Sequence, residues 1–110
     1  MAAHAVPKSF KDSTHFINEV VLPLMDKLYS ERMIDIVDIF HEKNYFTDED
    51  TRLVFEKALS LGLQVKMHAD EMNDNHGASL AAEYSALSAD HLLQVSDEGI
   101  RALAKSSTVA

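Results

Sequence analysis

Apolar residues along this chain recur at two periods, and the switches between them mark its elements. After a polar opening, Phe16, Ile17, Val20, Val21, Leu24, Met25 and Leu28 follow the helical period, and Asp12 or Ser13 can cap the start of that helix. Pro23 falls inside the pattern, where its missing amide and its ring predict one bent helix or two short ones. Residues 33–40 are short and β-branched, interrupted by Asp35 and Asp38, and read as a strand buried on most of both faces. Thr47 then caps a helix whose first turn carries Asp48, Glu49 and Asp50, acids that complement the helix dipole. Leu53, Val54, Ala58 and Leu59 form its stripe, and Gly62 supplies a left-handed end. Residues 63–68 read as a second strand.

A polar loop over 71–77 leads to a short alanine-rich helix over 78–85, and 86–92 return to a strand. Ser96, Asp97 and Glu98 open another helix that runs through Ile100, Leu103 and Ala104, and Thr108, Val109 and Ala110 read as the opening of a further strand. Strict strand and helix alternation predicts right-handed crossovers and a parallel sheet, hence an α/β fold. The order starts at a strand end and stops at a strand start. That is the periodicity of about half of a (β/α)8 TIM-like barrel, for which a full domain needs ~250 residues, so residues 1–110 are read as one partial barrel domain.

Composition narrows the class. With 110 residues, 46% hydrophobic and 25% charged, three glycines and two prolines, the chain suits a single globular unit rather than a disordered or fibrous one. Its formal charge of -8, from 18 acidic against 10 scattered basic residues, argues against nucleic acid and anionic membranes as partners. No apolar run approaches the ~20 residues of a membrane span, and no signal-peptide pattern opens the chain, so a cytoplasmic location is expected. With no cysteine, a metal could be held only by histidine and carboxylate, which suit zinc, iron or manganese.

Two segments carry the candidate chemistry. Val65-Lys66-Met67-His68-Ala69-Asp70-Glu71 and Ser88-Ala89-Asp90-His91-Leu92 each put a histidine where an apolar run stops. Carboxyl ends of parallel strands face the ligand crevice, so these two histidines can converge. His4 and His41 fall at similar strand ends, whereas His15, at a helix start, and His76, in a loop, read as solvent-facing. Asp70 and Glu71 suit metal-assisted hydrolysis, in which a carboxylate takes a proton from attacking water, or they cap the following turn. Asp90 should face away from the pocket that His91 enters, because neighbouring strand residues alternate. Asp35, Asp38 and Glu42 are ambiguous, with Glu42 the best placed. Spacing alone supports only a partial site, since catalytic zinc takes three protein ligands. Met25, Met33 and Met67 read as core. No phosphate-cradling glycine loop or Gly-x-Ser-x-Gly turn is present, and the dispersed aromatic residues offer no base-stacking platform.

Several segments, in order, closely resemble imidazolonepropionase: Ala3-His4-Ala5-Val6-Pro7, Asp38-Ile39-Phe40-His41-Glu42-Lys43, the run from Gly62 to Glu71, Leu80-Ala81-Ala82-Glu83, the run from Ala86 to Leu92, and Val95-Ser96-Asp97-Glu98-Gly99-Ile100. The resemblance implies a metal-dependent amidohydrolase, with a barrel and one divalent metal, zinc or iron, acting as a homodimer. Its reaction opens the ring of 4-imidazolone-5-propanoate with water to give N-formimidoyl-L-glutamate in histidine degradation. By resemblance, His68 is the metal ligand at the end of the fifth barrel strand. Glu71 contacts the small-molecule substrate and handles the water's proton. His91, ending the sixth strand, is the catalytic histidine, and His4, ending the third, contacts the substrate.

The departures are equally specific. The family's His-x-His pair, its substrate arginine and tyrosine and its last metal-binding aspartate lie in segments these 110 residues do not contain. His41 stands where the family commonly has cysteine, and Asn73-Asp74-Asn75-His76-Gly77 differs from its usual glycine-containing loop. The isolated chain is therefore expected to be inactive and, with unpaired strand edges, to self-associate. The rival readings are a non-catalytic fragment or binding module, and an amidohydrolase for another cyclic amide.

Overall fold

The computed structural model describes residues 2–110. After a 3-10 turn at Ala2–His4, Asp12 caps helix α1 (Ser13–Phe16), its carboxylate accepting the His15 N–H at 2.7 Å. A π turn over Ile17–Val21 follows, closed by the Leu22 N–H on the Ile17 carbonyl, and leads into α2 (Leu22–Ser30). Helical dihedrals run through both junctions. The proline expected to bend or split the helix sits in the first turn of α2, directly after one wider turn.

The remaining elements alternate: β1 (Ile36–His41), α3 (Asp48–Ser60), β2 (Gln64–Ala69), α4 (Gly77–Glu83), β3 (Ala89–His91) and α5 (Asp97–Leu103). Thr47 caps α3 in a reciprocal box with Asp50, a buried carboxylate that also accepts the Thr14 hydroxyl at 2.7 Å and so ties α1 to α3. Helices α2, α3 and α4 end alike. Arg32, Gly62 and Ser85 take φ of 55°, 75° and 50°, and the two amides from each of these positions onward close back on the last turn, as when Leu63 N–H reaches the Ala58 carbonyl at 3.0 Å. Gly62 thus fills the left-handed end its position predicts.

The strands form one parallel sheet in the order β1-β2-β3, with Phe40 paired to His68, His68 to Asp90, and both His41 and His91 to Ala69. Past β3, Val109 bridges Ser88 in parallel, so the further strand predicted at residues 108–110 has begun to pair. Sheet and helices make the fold α/β, with the parallel strands that alternation predicts. One face, carrying Ile39, His41, Val65, Met67, Ala69 and Ala89, is buried beneath α3 and α4. Asp38, Phe40, Lys66, His68 and Asp90 occupy the opposite, half-buried face.

Three expectations are corrected here. The first strand is buried on one face only, because Asp38 lies on the open face, while Asp35 falls before the strand begins. It starts at Ile36, and Met33, expected in the core, is 66% exposed: the left-handed residue Arg32 ends α2 and turns the chain outward before the sheet begins. The third strand spans three residues instead of seven, since its pairing with β2 stops where His91 turns left-handed. Met25 and Met67 do lie in the core. Among the described residues no helix is long and apolar enough to cross a membrane.

Candidate functional site at the strand ends

Strand parity builds the site. Asp38 and Phe40 on β1, Lys66 and His68 on β2 and Asp90 on β3 share the open face, because side chains two apart along a strand point the same way. The Asp38 carboxylate stands between two imidazoles: Oδ2 lies 2.9 Å from His4 Nε2 and Oδ1 lies 3.2 Å from His68 Nδ1. The two rings meet edge-on with centroids 4.6 Å apart, and Phe40 flanks both. Each member of the trio is about 23% exposed, enough for a ligand to reach and too little for free rotation.

His91 joins them by an irregular route. Paired with Ala69, it would in a regular strand project toward the helices; φ of 76° at His91 and 58° at Leu92 breaks that alternation, and its ring lies 5.1 Å from that of His68. A left-handed non-glycine residue costs about 1–3 kcal/mol. His91 Nε2 then stands 3.6 Å from Glu71 Oε2. The four residues singled out in the sequence, His4, His68, Glu71 and His91, thus come together at the carboxyl ends of the strands.

Neighbouring acids divide into different tasks. Asp70, 1% exposed, accepts N–H groups from Asn75, Gly77 and Ala78 at 2.9–3.0 Å and so caps the start of α4, the turn-capping alternative that the sequence left open. Glu71 does not share that task. Asp90 corrects its expectation: it lies on the His68 face, where its carboxylate binds Lys66 Nζ at 2.6 Å. Burial alone would raise the Asp90 pKa, but the bonds from Lys66 and Ser88 hold it below the usual range, and the same contact with Asp90 raises that of Lys66.

His41 does not enter the site. Its ring lies on the helix side, 2% exposed, with Nε2 2.7 Å from Asp48 and a buried Nδ1 that has no partner. Glu42, the best placed of the ambiguous acids, is spent on the loop after Glu71: it accepts from the Lys43, Met72 and Asn73 amides and from the Asn73 and Asn75 side chains. Burial pushes its pKa up, yet these donors together bring it down to about 2. His15 and His76 are exposed, as their positions predict.

Asp38 is the site residue that sequence reasoning left undecided. Its signal was parity, since a residue two before Phe40 shares its face; the register that puts Phe40 opposite His68 was needed to use it. Among the described residues, His4, Asp38 and His68 are the group whose ligating atoms, one from each, lie within 4.8 Å of one another. Imidazole and carboxylate are donors that zinc or iron accepts, and with the Asp38 carboxylate already shared between the two rings, an outer ring nitrogen is what fits a divalent metal here.

The arrangement defines an α/β protein with a histidine and carboxylate site at the carboxyl ends of parallel strands. Comparison with known sequences is more particular. The chain is 44% identical over 111 aligned positions to an imidazolonepropionase of Idiomarina loihiensis, 47% to one of Rhizobium rhizogenes and 46% to one of Paracoccus denitrificans. Each alignment covers 100% of this chain and 27 or 28% of the relative, so the chain is related along its whole length to a segment of the imidazolonepropionases, about a quarter as long as they are. No family model matches it.

Proposed function

We propose that this chain is the part of a (β/α)8 barrel amidohydrolase, the third strand end through the start of the seventh, that supports hydrolytic opening of 4-imidazolone-5-propanoate to N-formimidoyl-L-glutamate. The observation that carries this reading is the convergence of His4, His68, Glu71 and His91 within one patch of sheet, in a sequence 44–47% identical to proteins of that name.

His68 holds a divalent ion, zinc or iron, which when bound supplies Lewis acidity for the cyclic amide. Glu71 takes the proton of the attacking water. His91, 3.6 Å from that carboxylate, hydrogen-bonds the carbonyl oxygen as charge develops, and through it the proton that Glu71 took passes to the departing nitrogen. His4 has Nε2 committed to Asp38, so Nδ1 is the atom it offers to the substrate. Phe40 and Tyr45, with ring centroids 4.6 Å apart and planes tilted by 58°, line the β1 side of the site.

Two measurements test the reading. With this segment placed in the Idiomarina loihiensis relative, metal retained by elemental analysis should be lost in His68→Ala; equal metal in both would remove His68 as the ligand. Exchanging this segment for its counterpart in the Idiomarina loihiensis relative should give a folded chimera that consumes 4-imidazolone-5-propanoate. A folded chimera without turnover would overturn the proposed reaction.

A further inference from the structure

We propose that Asp38 is a positioning residue that sets opposite tautomers on two histidines at once, presenting His68 Nε2 to the metal and His4 Nδ1 to the substrate. The inference rests on the reading of His68 as metal ligand. It starts from the carboxylate. An ionised carboxylate only accepts hydrogen bonds, so a ring nitrogen facing it must carry a proton. Asp38 faces His68 through Nδ1, at 3.2 Å, and His4 through Nε2, at 2.9 Å. Neutral imidazole has one N–H, and the other nitrogen keeps its lone pair. His68 is therefore left with a lone pair on Nε2, which is what a metal ligand needs, and His4 with one on Nδ1, which accepts from a donor such as a ring N–H of the substrate.

The two histidines need this help to different degrees. Free histidine favours the proton on Nε2, so His4 rests in its preferred form, whereas His68 is held in the less favoured one. A carboxylate or carbonyl behind a ligating histidine fixes its ring and raises its basicity, and removal of such a partner weakens metal binding about 10- to 100-fold. What is particular here is that one carboxylate serves both rings. The half-buried position of Asp38, at 23% exposure, and the flanking ring of Phe40 restrict water from replacing it.

Ring nitrogen NMR on the 15N-labelled 110-residue chain reads the tautomers directly, without metal, about two pH units above the ordinary histidine value of ~6.5. His68→Gln and His4→Gln assign the signals. In the parent, His68 should carry its proton on Nδ1 and His4 on Nε2. Asp38→Ala should return His68 to the Nε2–H form and leave His4 unchanged. The near-isosteric Asp38→Asn, which keeps the shape if the alanine variant unfolds, has one acceptor and one donor end, so one of the two rings must change tautomer.

Identical tautomers for both rings in the parent, or no change in folded Asp38→Asn, would overturn the proposal. Zinc affinity of the segment-exchanged enzyme should fall about 10- to 100-fold in Asp38→Ala; a loss as complete as in His68→Ala would make Asp38 a ligand and overturn its positioning role. The two readings fail separately. Opposite tautomers with zinc indifferent to His68→Ala would reject the metal assignment alone, and His68-dependent zinc with identical tautomers would reject Asp38 alone.

Discussion

Glu71 and His91 leave the ends of neighbouring strands and meet with Oε2 3.6 Å from Nε2, at a place where His91 abandons regular strand geometry. Neither strand end makes the contact alone: β2 delivers the carboxylate just after Asp70 has turned the chain at φ of 49°, and β3 delivers the imidazole through its own left-handed residue.

If the pair handles protons as a unit, the segment-exchanged enzyme carrying Glu71→Gln should lose about 10²- to 10⁴-fold in turnover, and His91→Asn a similar factor. The double variant should be little worse than either single one, since groups that act together are non-additive. Steady-state kinetics on the three variants decide this. Fully multiplicative losses would mean that the two residues act on separate steps.

Glu42 gives a pH signature of stability. Its carboxyl sits at about 2 in the fold against an ordinary 4.5, so the fold favours the ionised form. The resulting stabilisation is complete above 4.5 and is lost as pH falls toward 2. Glu42→Gln should cost about 2 kcal/mol at neutral pH, because an amide nitrogen replaces an oxygen that accepts from several donors. Urea unfolding of parent and variant from neutral to acid pH should show the gap closing below 4.5. A constant gap would assign the loss to packing.

Gly77 opens α4 against β2. A Cβ at this position would lie 2.8 Å from that of Ala69, 3.3 Å from the Ala69 Cα and 3.0 Å from His41 Nδ1. Since two of these neighbours belong to a sheet residue that cannot yield, Gly77→Ala should destabilise by about 1–3 kcal/mol. Denaturation midpoints check it, and an unchanged midpoint would show that α4 can slide.

The box at the start of α3 separates two costs. Thr47→Ala removes one acceptor and should cost about 1 kcal/mol. Asp50→Ala removes a fully buried carboxylate from both the Thr47 amide and the Thr14 hydroxyl, and should cost about 2–3 kcal/mol. Because Thr47 and Asp50 belong to one reciprocal motif, the double variant should lose less than the two single losses added.

Much of this architecture was legible because it is local. Thr47 with its run of acids, Gly62 after the stripe of α3, and Asp12 before α1 all act within a turn or two of chain, and each does what its type and position predict. His68, Glu71 and His91 were legible as ends of apolar runs. What failed needed distance information. Asp38 and Asp90 required the register between strands to show which face they share, and His41 required parity counted from the true strand start. Glu42 looked like a site residue because it follows a strand; its partners lie some thirty residues on, in a loop whose composition gave no hint of what would hold it.

The brevity of β3 has a wider meaning. Were its ladder with β2 to run regularly through residue 91, the alternation of the strand would carry the imidazole through to the helix layer, the side on which Ala69 is buried. More sheet would mean less site. A substitution that relaxes the left-handed turn at His91 would therefore raise stability while drawing its imidazole away from His68 and Glu71, and a screen for heat resistance alone would select such changes without registering what they had removed.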